Sequence, residues 1–236
     1  MSSNQVLSSK PAQNQLNQES KLQKRAMTLR VCPQLTTFVV LMLALSLSSR
    51  ISEEVRRGSI LSTVTRFTHL FAFGTWLGIQ FWATFIAGVT MYFNMGRHAF
   101  GELQSKLFPK YFFSGACLTA ITLATYSLIH PIQHWEGKDK IQSLGLLVSL
   151  ICSMMNYMYL EPTTTRLMDK RYAFEKERGY GQEIGPIPDN KLKNDEEYLK
   201  ITKSFACVHG FSSMANLMSY AGCLLHLWYL ATQVTM

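Results

Sequence analysis

Charged residues divide this chain into apolar blocks. No Asp, Glu, Lys or Arg occurs within 31–49, 67–96, 111–135, 141–160 or 204–236, although 16% of the residues are charged. A hydrocarbon core of about 30 Å needs about 20 apolar residues of helix to cross it. The last four blocks meet that length, and none shows the two-residue alternation of barrel strands, so the pattern predicts helices. The expected fold class is all-α: an integral membrane four-helix bundle with spans near 67–93, 111–130, 141–160 and 205–231. An additional N-terminal hydrophobic helix joins it if the first block crosses the membrane or anchors in it.

That first block is the short one. Between Arg30 and Arg50 it has an apolar centre of about a dozen residues, which suits a signal sequence, a signal anchor or span, or part of an organelle-targeting presequence. Residues 1–30 are rich in Gln, Asn, Ser and Lys and read as a disordered polar and basic leader. The domain organisation expected is this leader, the hydrophobic segment 31–49, and a four-span membrane domain over 67–231 with a long loop at 161–203.

Alternation of the spans sorts the loops. Let the near side be where the first span begins and the far side its opposite. The stretches 94–110 and 161–203 then share the far side and carry 12 Lys and Arg. Positive-inside bias makes that side cytoplasmic, provided the 31–49 block crosses or is removed. Within 161–203, residues 163–178 read as a helix ending before Gly179. Asn194 is placed to cap a second helix that carries Asp195, Glu196 and Glu197 in its first turn and runs on into the last span.

Composition changes little. The mean hydropathy of +0.05 averages apolar spans with charged loops, and 236 residues leave no room for a second sizeable domain. The net charge of +8 is accounted for by basic residues beside anionic headgroups, so the lipid bilayer and membrane-protein partners are expected and nucleic acid is not. Cys32, Cys117, Cys152, Cys207 and Cys223 form no CxxC pair and read as packing residues, with Cys32 a candidate for acylation. The secretory pathway or plasma membrane is favoured over the mitochondrion.

Polar residues inside the spans supply the candidate chemistry. His69, Trp76 and Gln80 fall on one stripe of the first span, opposite the Gly74/Gly78 pair, a flat surface suited to close approach by the Ala116, Ala120 and Ala124 row. In the last span His209, Ser213, Asn216, Tyr220 and Cys223 define one polar face. Asn156 and Asn216 fall at similar depth from Glu161 and His209, which are themselves placed to exchange a proton or hold a cation. His69, His130, His134 and His226 gather on the near side, where imidazoles from different helices suit haem or a transition metal.

Five motifs then give a resemblance. His69-Leu70 with Trp76, Gly78, Gln80 and Trp82; FGELQSKLFPKYF, containing Gln104, Lys106 and Pro109; LEPTTTRLM, containing Glu161 and Pro162; EKERGYGQE, containing Glu175, Arg178 and Gly179; and HGFSSMANL, containing His209, Gly210, Ser212, Ser213 and Asn216, together resemble the transmembrane protein 205 family. The match spans 67–231. It implies a four-span membrane domain of unknown function. His69 with Trp76 and Gly78 is also distantly similar to the first helix of copper-resistance membrane proteins and of membrane-bound protoporphyrinogen oxidases.

No nucleophile–base pair, phosphate loop, HExxH or carboxylate dyad is present, so an enzyme is not expected, nor is a cofactor. The leading expectation is a structural, trafficking or transport-accessory membrane protein. A small transporter or proton/cation pathway through Glu161 and His209 is the second reading, and a haem- or copper-binding protein using His69 the third.

Overall fold

The computed structural model describes residues 37, 41, 48–58, 60–187 and 192–234, and these are helical with no strand among them. The helices are α1 (Ser48–Arg56), α2 (Ile60–Asn94), α3 (Arg97–Ile129), α4 (Gly137–Lys176) and α5 (Glu196–Gln233). Three of them, α2, α3 and α4, are long and apolar enough to cross a membrane. Helix α5 has 38 residues but is less apolar, because His209, Asn216, Ser219 and His226 interrupt its run. The expected leader at 1–30 and most of the 31–49 segment lie outside the described residues. Of the latter, Leu41 is buried beside Ala116, Ala120 and Leu123, and the Thr37 hydroxyl lies 3.8 Å from Cys117 Sγ.

The bundle is inverted relative to a soluble protein. Phe67, Phe71, Ile141, Leu144, Phe211 and Trp228 point outward and are exposed, whereas His69, Gln80, Asn156, Ser219 and His226 are buried between the helices. Hydrocarbon chains solvate the former, and the latter find partners only inside. Small residues set the spacing. A side chain at Gly115 would overlap the Trp76 ring, and one at Gly222 would overlap Ser149 and the Gly145 backbone. Gly74 and Gly78 do not take part: both are exposed, with nothing near the space their side chains would fill. Ala116 and Ala120 of α3 are buried as a close surface, but they pack with Leu41, Leu146 and Leu150, and α2 meets α3 through Trp76 against Gly115 rather than through its glycines.

Two helices overrun their expected ends. Helix α3 begins at Arg97 rather than near 111, passing through Pro109. Proline removes one intrahelical hydrogen bond, a loss that membrane helices absorb when neighbours pack around them. Helix α4 likewise continues through Pro162 to Lys176. Before that proline, Asn156–Leu160 forms a π-turn, whose wider loop relieves the clash a proline ring makes with the preceding turn. A second π-turn, Trp82–Ala87, interrupts α2 at the same end of the bundle. Asp195, one residue after the expected Asn194, caps α5, its carboxylate accepting from the N–H groups of Glu197 and Tyr198 at 3.0 and 3.1 Å.

Candidate functional site

The far end is closed by a clamp built around Glu175. Its fully buried carboxylate accepts from Arg97 Nε and Nη2 at 3.0 and 2.9 Å, from the Tyr198 hydroxyl at 2.9 Å, and lies 2.9 Å from His98 Nε2. Arg171 Nε adds a contact at 3.5 Å. These groups belong to the charged second half of α4, beyond its apolar part at 141–160, and to the N-terminal turns of α3 and α5. Burial pushes the Glu175 carboxyl upward, but the hydrogen bonds from Arg97 and His98 outweigh it and the net shift is downward. Burial and the bond to Glu175 raise the Tyr198 phenol, which stays a donor. The loop after α4 completes the clamp: Arg97 N–H donates to Glu183 O at 2.8 Å and His98 N–H to Gly181 O at 3.0 Å, satisfying the start of α3. Gly181 has a φ of +130°, and any side chain there would overlap the His98 ring.

Beneath the clamp is a cavity of about 600 Å³ between α2, α3, α4 and α5. The π-turn of α2 borders it through Ala83 and Thr84, and Glu161, the residue that follows the π-turn of α4, borders it on the other side. Its polar lining includes Gln104, Glu161, Arg171, His209, Ser213 and Asn216, and its apolar lining Phe100, Phe108, Phe112 and Phe205. Glu161 is 4% exposed and accepts from the Thr165 hydroxyl at 2.9 Å. Gln104 is 9% exposed, and its side-chain oxygen has no partner among the described residues. The Arg171 guanidinium lies over the Phe205 ring at 4.1 Å, a cation–π contact that holds it at the cavity wall.

A polar seam leads inward from this cavity. Asn216 accepts from the Tyr111 hydroxyl at 2.8 Å and donates to Thr84 Oγ1 at 3.1 Å, tying α5 to α3 and α2. Asn156 exchanges two bonds with Ser212, accepting from its hydroxyl at 2.6 Å and donating to its carbonyl at 3.2 Å. The two asparagines therefore reach different partners, Asn156 pairing with Ser212, one helical turn from Asn216. One level further in, Gln80 donates to Ser219 Oγ at 3.1 Å and Ser149 to Ser219 O at 2.8 Å. Trp76, Phe73 and Tyr111 form an aromatic layer next to these groups.

On the near side of that layer the seam ends in a second cluster. The Nε2 atoms of His69 and His226 are 2.9 Å apart, and both rings are buried. Tyr126, Asp139, His130 and Gln142 surround them. From His209 to His226 is 17 residues of α5, about 25 Å at the helical rise, so the polar residues run along most of the length of the bundle.

The candidate residues separate accordingly. Gln104, Glu161, His209, Ser213 and Asn216 border the cavity, with Ser212 buried against Asn156. Glu175 is in the clamp, and Arg178 pairs with Asp195 at 3.1 Å, outside the cavity. His69, Trp76 and Gln80 form the buried stripe expected of α2. Trp82 and Gly78 face outward, Lys106 pairs on the surface with Glu102 at 2.6 Å, and Gly210 has open space beside it. Pro109 and Pro162 lie within continuous helices, and Gly179, with a φ of +79°, ends the turn after α4. The polar face of α5 is rotated by about one residue from the expected one: Ser212, Ser219 and His226 are buried, whereas His209 and Ser213 are exposed toward the cavity. Cys207 is exposed, contrary to a packing role, while Cys152 and Cys223 are buried. His226 is the near-side partner of His69, whereas Gln142 and Asp139 are partners that span patterning did not single out; the seven-residue spacing of Ser212, Ser219 and His226 is the signal that marks the face.

A helical bundle with an apolar exterior and a polar interior defines a multi-pass integral membrane protein. The chain belongs to the transmembrane protein 205 family. It is 33% identical over 162 residues to Transmembrane protein 205 of Danio rerio, covering 66% of this chain and 86% of that protein. Residues 71–173 match the family described as Domain of unknown function (DUF4149). Xanthocillin biosynthesis cluster protein D of Aspergillus fumigatus is 31% identical over 102 residues, covering 41% of this chain and 65% of that protein. No solved structure matches the chain.

Proposed function

We propose that the protein binds a small amphipathic solute in the far-side cavity and acts as a transporter or transport accessory. The observation that carries this reading is the cavity of about 600 Å³, within the size range of small-molecule sites. It combines aromatic walls with a buried carboxylate and an unpartnered amide oxygen. Buried polar atoms left unpaired in a membrane protein are costly, and a ligand supplies what they lack. In this reading α5 is the fourth span, the far side is cytoplasmic, and the protein resides in the secretory pathway or plasma membrane. It performs no covalent chemistry. A purely structural or trafficking role is less well supported, because Glu175 and Arg178, which such a role would offer to partners, are paired within the chain.

The test is a solute screen by thermal shift on the full chain in lipid nanodiscs, alongside Ser213→Trp, which fills the cavity from an exposed position. A class of amphipathic solutes that stabilises the parent protein and not Ser213→Trp supports the proposal. Equal responses from the two proteins across the screen overturn it. Flux of a stabilising solute in proteoliposomes, reduced in Glu161→Gln, distinguishes a transporter from an accessory.

A further inference from the structure

We propose that His69 and His226 form an intramembrane site that takes up one proton, served from the near side by His130 and Asp139. This does not depend on what the far cavity binds.

Counting hydrogens gives the site its capacity. His69 Nδ1 faces the Thr122 carbonyl at 3.2 Å and the Thr125 hydroxyl at 3.0 Å. A carbonyl only accepts, so this nitrogen carries a hydrogen. The facing Nε2 atoms, 2.9 Å apart, share one more, since two lone pairs or two N–H groups at that separation repel. The fourth nitrogen, His226 Nδ1, lies 3.3 Å from Gln142 Oε1. An amide presents either an oxygen or an NH₂ group by turning over. With the NH₂ inward, His226 Nδ1 accepts and the pair is neutral. With the oxygen inward, His226 Nδ1 donates and the pair holds one additional proton as an imidazole–imidazolium dimer. Every nitrogen is satisfied in both states, which differ by one proton and the orientation of Gln142. A second additional proton has no place, because the Nε2 atoms would then both donate toward each other.

The surroundings fit this use. Phe73 and Tyr126 set their rings edge to face against His226 at 4.9 and 5.6 Å, and Tyr229 lies parallel to it at 6.1 Å. On α3, His130 stacks on Tyr126, and its Nδ1 is 3.6 Å from Asp139 of α4, which accepts from the Tyr126 hydroxyl at 3.0 Å. The His130 side chain is 37% exposed, so a group reachable from solvent lies one aromatic ring away from the pair. Arg66 at the start of α2 and Lys138 at the start of α4 act on His130 rather than directly on the pair. A metal ion fits less well. Metal–imidazole bonds of about 2.0–2.1 Å each leave no room for an ion between facing nitrogens 2.9 Å apart, and no group of three potential metal-ligating side chains occurs among the described residues.

The experiment is NMR of ¹⁵N-histidine-labelled full chain in nanodiscs across a pH series. A nitrogen–nitrogen coupling between the two Nε2 atoms, absent in His69→Gln and in His226→Gln, and a one-proton titration of the pair are expected. Gln142→Glu, which biases the facing group toward acceptance and is less disruptive than losing an imidazole, should raise the proton affinity of the pair tenfold or more. The proposal is overturned by two independently titrating imidazoles, by uptake of two protons, or by an unchanged midpoint in Gln142→Glu. It is equally overturned by a stoichiometric metal ion in the purified protein that is lost in His226→Gln.

Discussion

The Trp76 indole fills the volume that a side chain at residue 115 would occupy. This contact fixes how closely α2 and α3 approach, and Trp76 is only 1% exposed. Gly115→Leu should therefore overpack the interface and cost about 1–3 kcal/mol, measured as a lowered unfolding midpoint in detergent. Combined with Trp76→Ala, the same substitution should cost less than the sum of the two single changes, because the new side chain enters the vacated space. Strict additivity would mean that the two residues do not meet.

At the far end, Glu175→Gln should release the clamp. It removes the carboxylate that pairs with both Arg97 and Arg171 and leaves the part-buried Arg97 and the buried Arg171 guanidinium uncompensated, a change that costs about 3–5 kcal/mol in fully buried pairs. The measurement is limited proteolysis in the 177–187 loop, with cleavage expected to accelerate well before the spans unfold. Protection equal to that of the parent protein would show that the loop is held by its backbone contacts alone.

The same carboxylate sets a pH dependence. Its pKa in the folded protein lies below the ordinary value of 4.5, so its stabilising contribution is fully present above that value and is lost as the pH falls through the lowered one. Loop protection should be flat from neutral pH down to about the ordinary carboxylate range and collapse below it. In Glu175→Gln this acid-dependent step should disappear.

Asn216→Leu offers a contrast. It deletes the bonds to Tyr111 and Thr84, but interhelical bonds in membrane proteins average about 0.6 kcal/mol each. The expected loss is about 1 kcal/mol, a small shift in thermal midpoint. A loss several times larger would mean that the seam acts as one cooperative network.

Much of the fold was legible because charge is excluded from a bilayer. Arg66 and Arg97 bracket the apolar run of α2, and Lys140 and Glu161 that of α4. The stripe of His69, Trp76 and Gln80 was legible too, since the helical period places them on one buried side. Where α3 begins and where α4 ends was not, because Pro109 and Pro162 carry the local signal of a break that surrounding packing overrides. The glycine pair was misread for a similar reason: Gly74 and Gly78 permit close approach but do not require it, and Gly115 is the position that the bulk of Trp76 makes necessary. Partnerships such as His69 with His226 join residues 157 positions apart, and no local pattern encodes which buried polar group meets which.

The π-turns at Trp82–Ala87 and Asn156–Leu160 each hold a residue more than an α-helical turn needs. A relative with one residue fewer at either place can keep the same bundle by closing the turn to ordinary α-geometry. Length differences among family members should therefore gather at these two points inside the helices, where gaps are otherwise least tolerated. Such a relative would keep its near-side residues in register while the wall beside the cavity is redrawn.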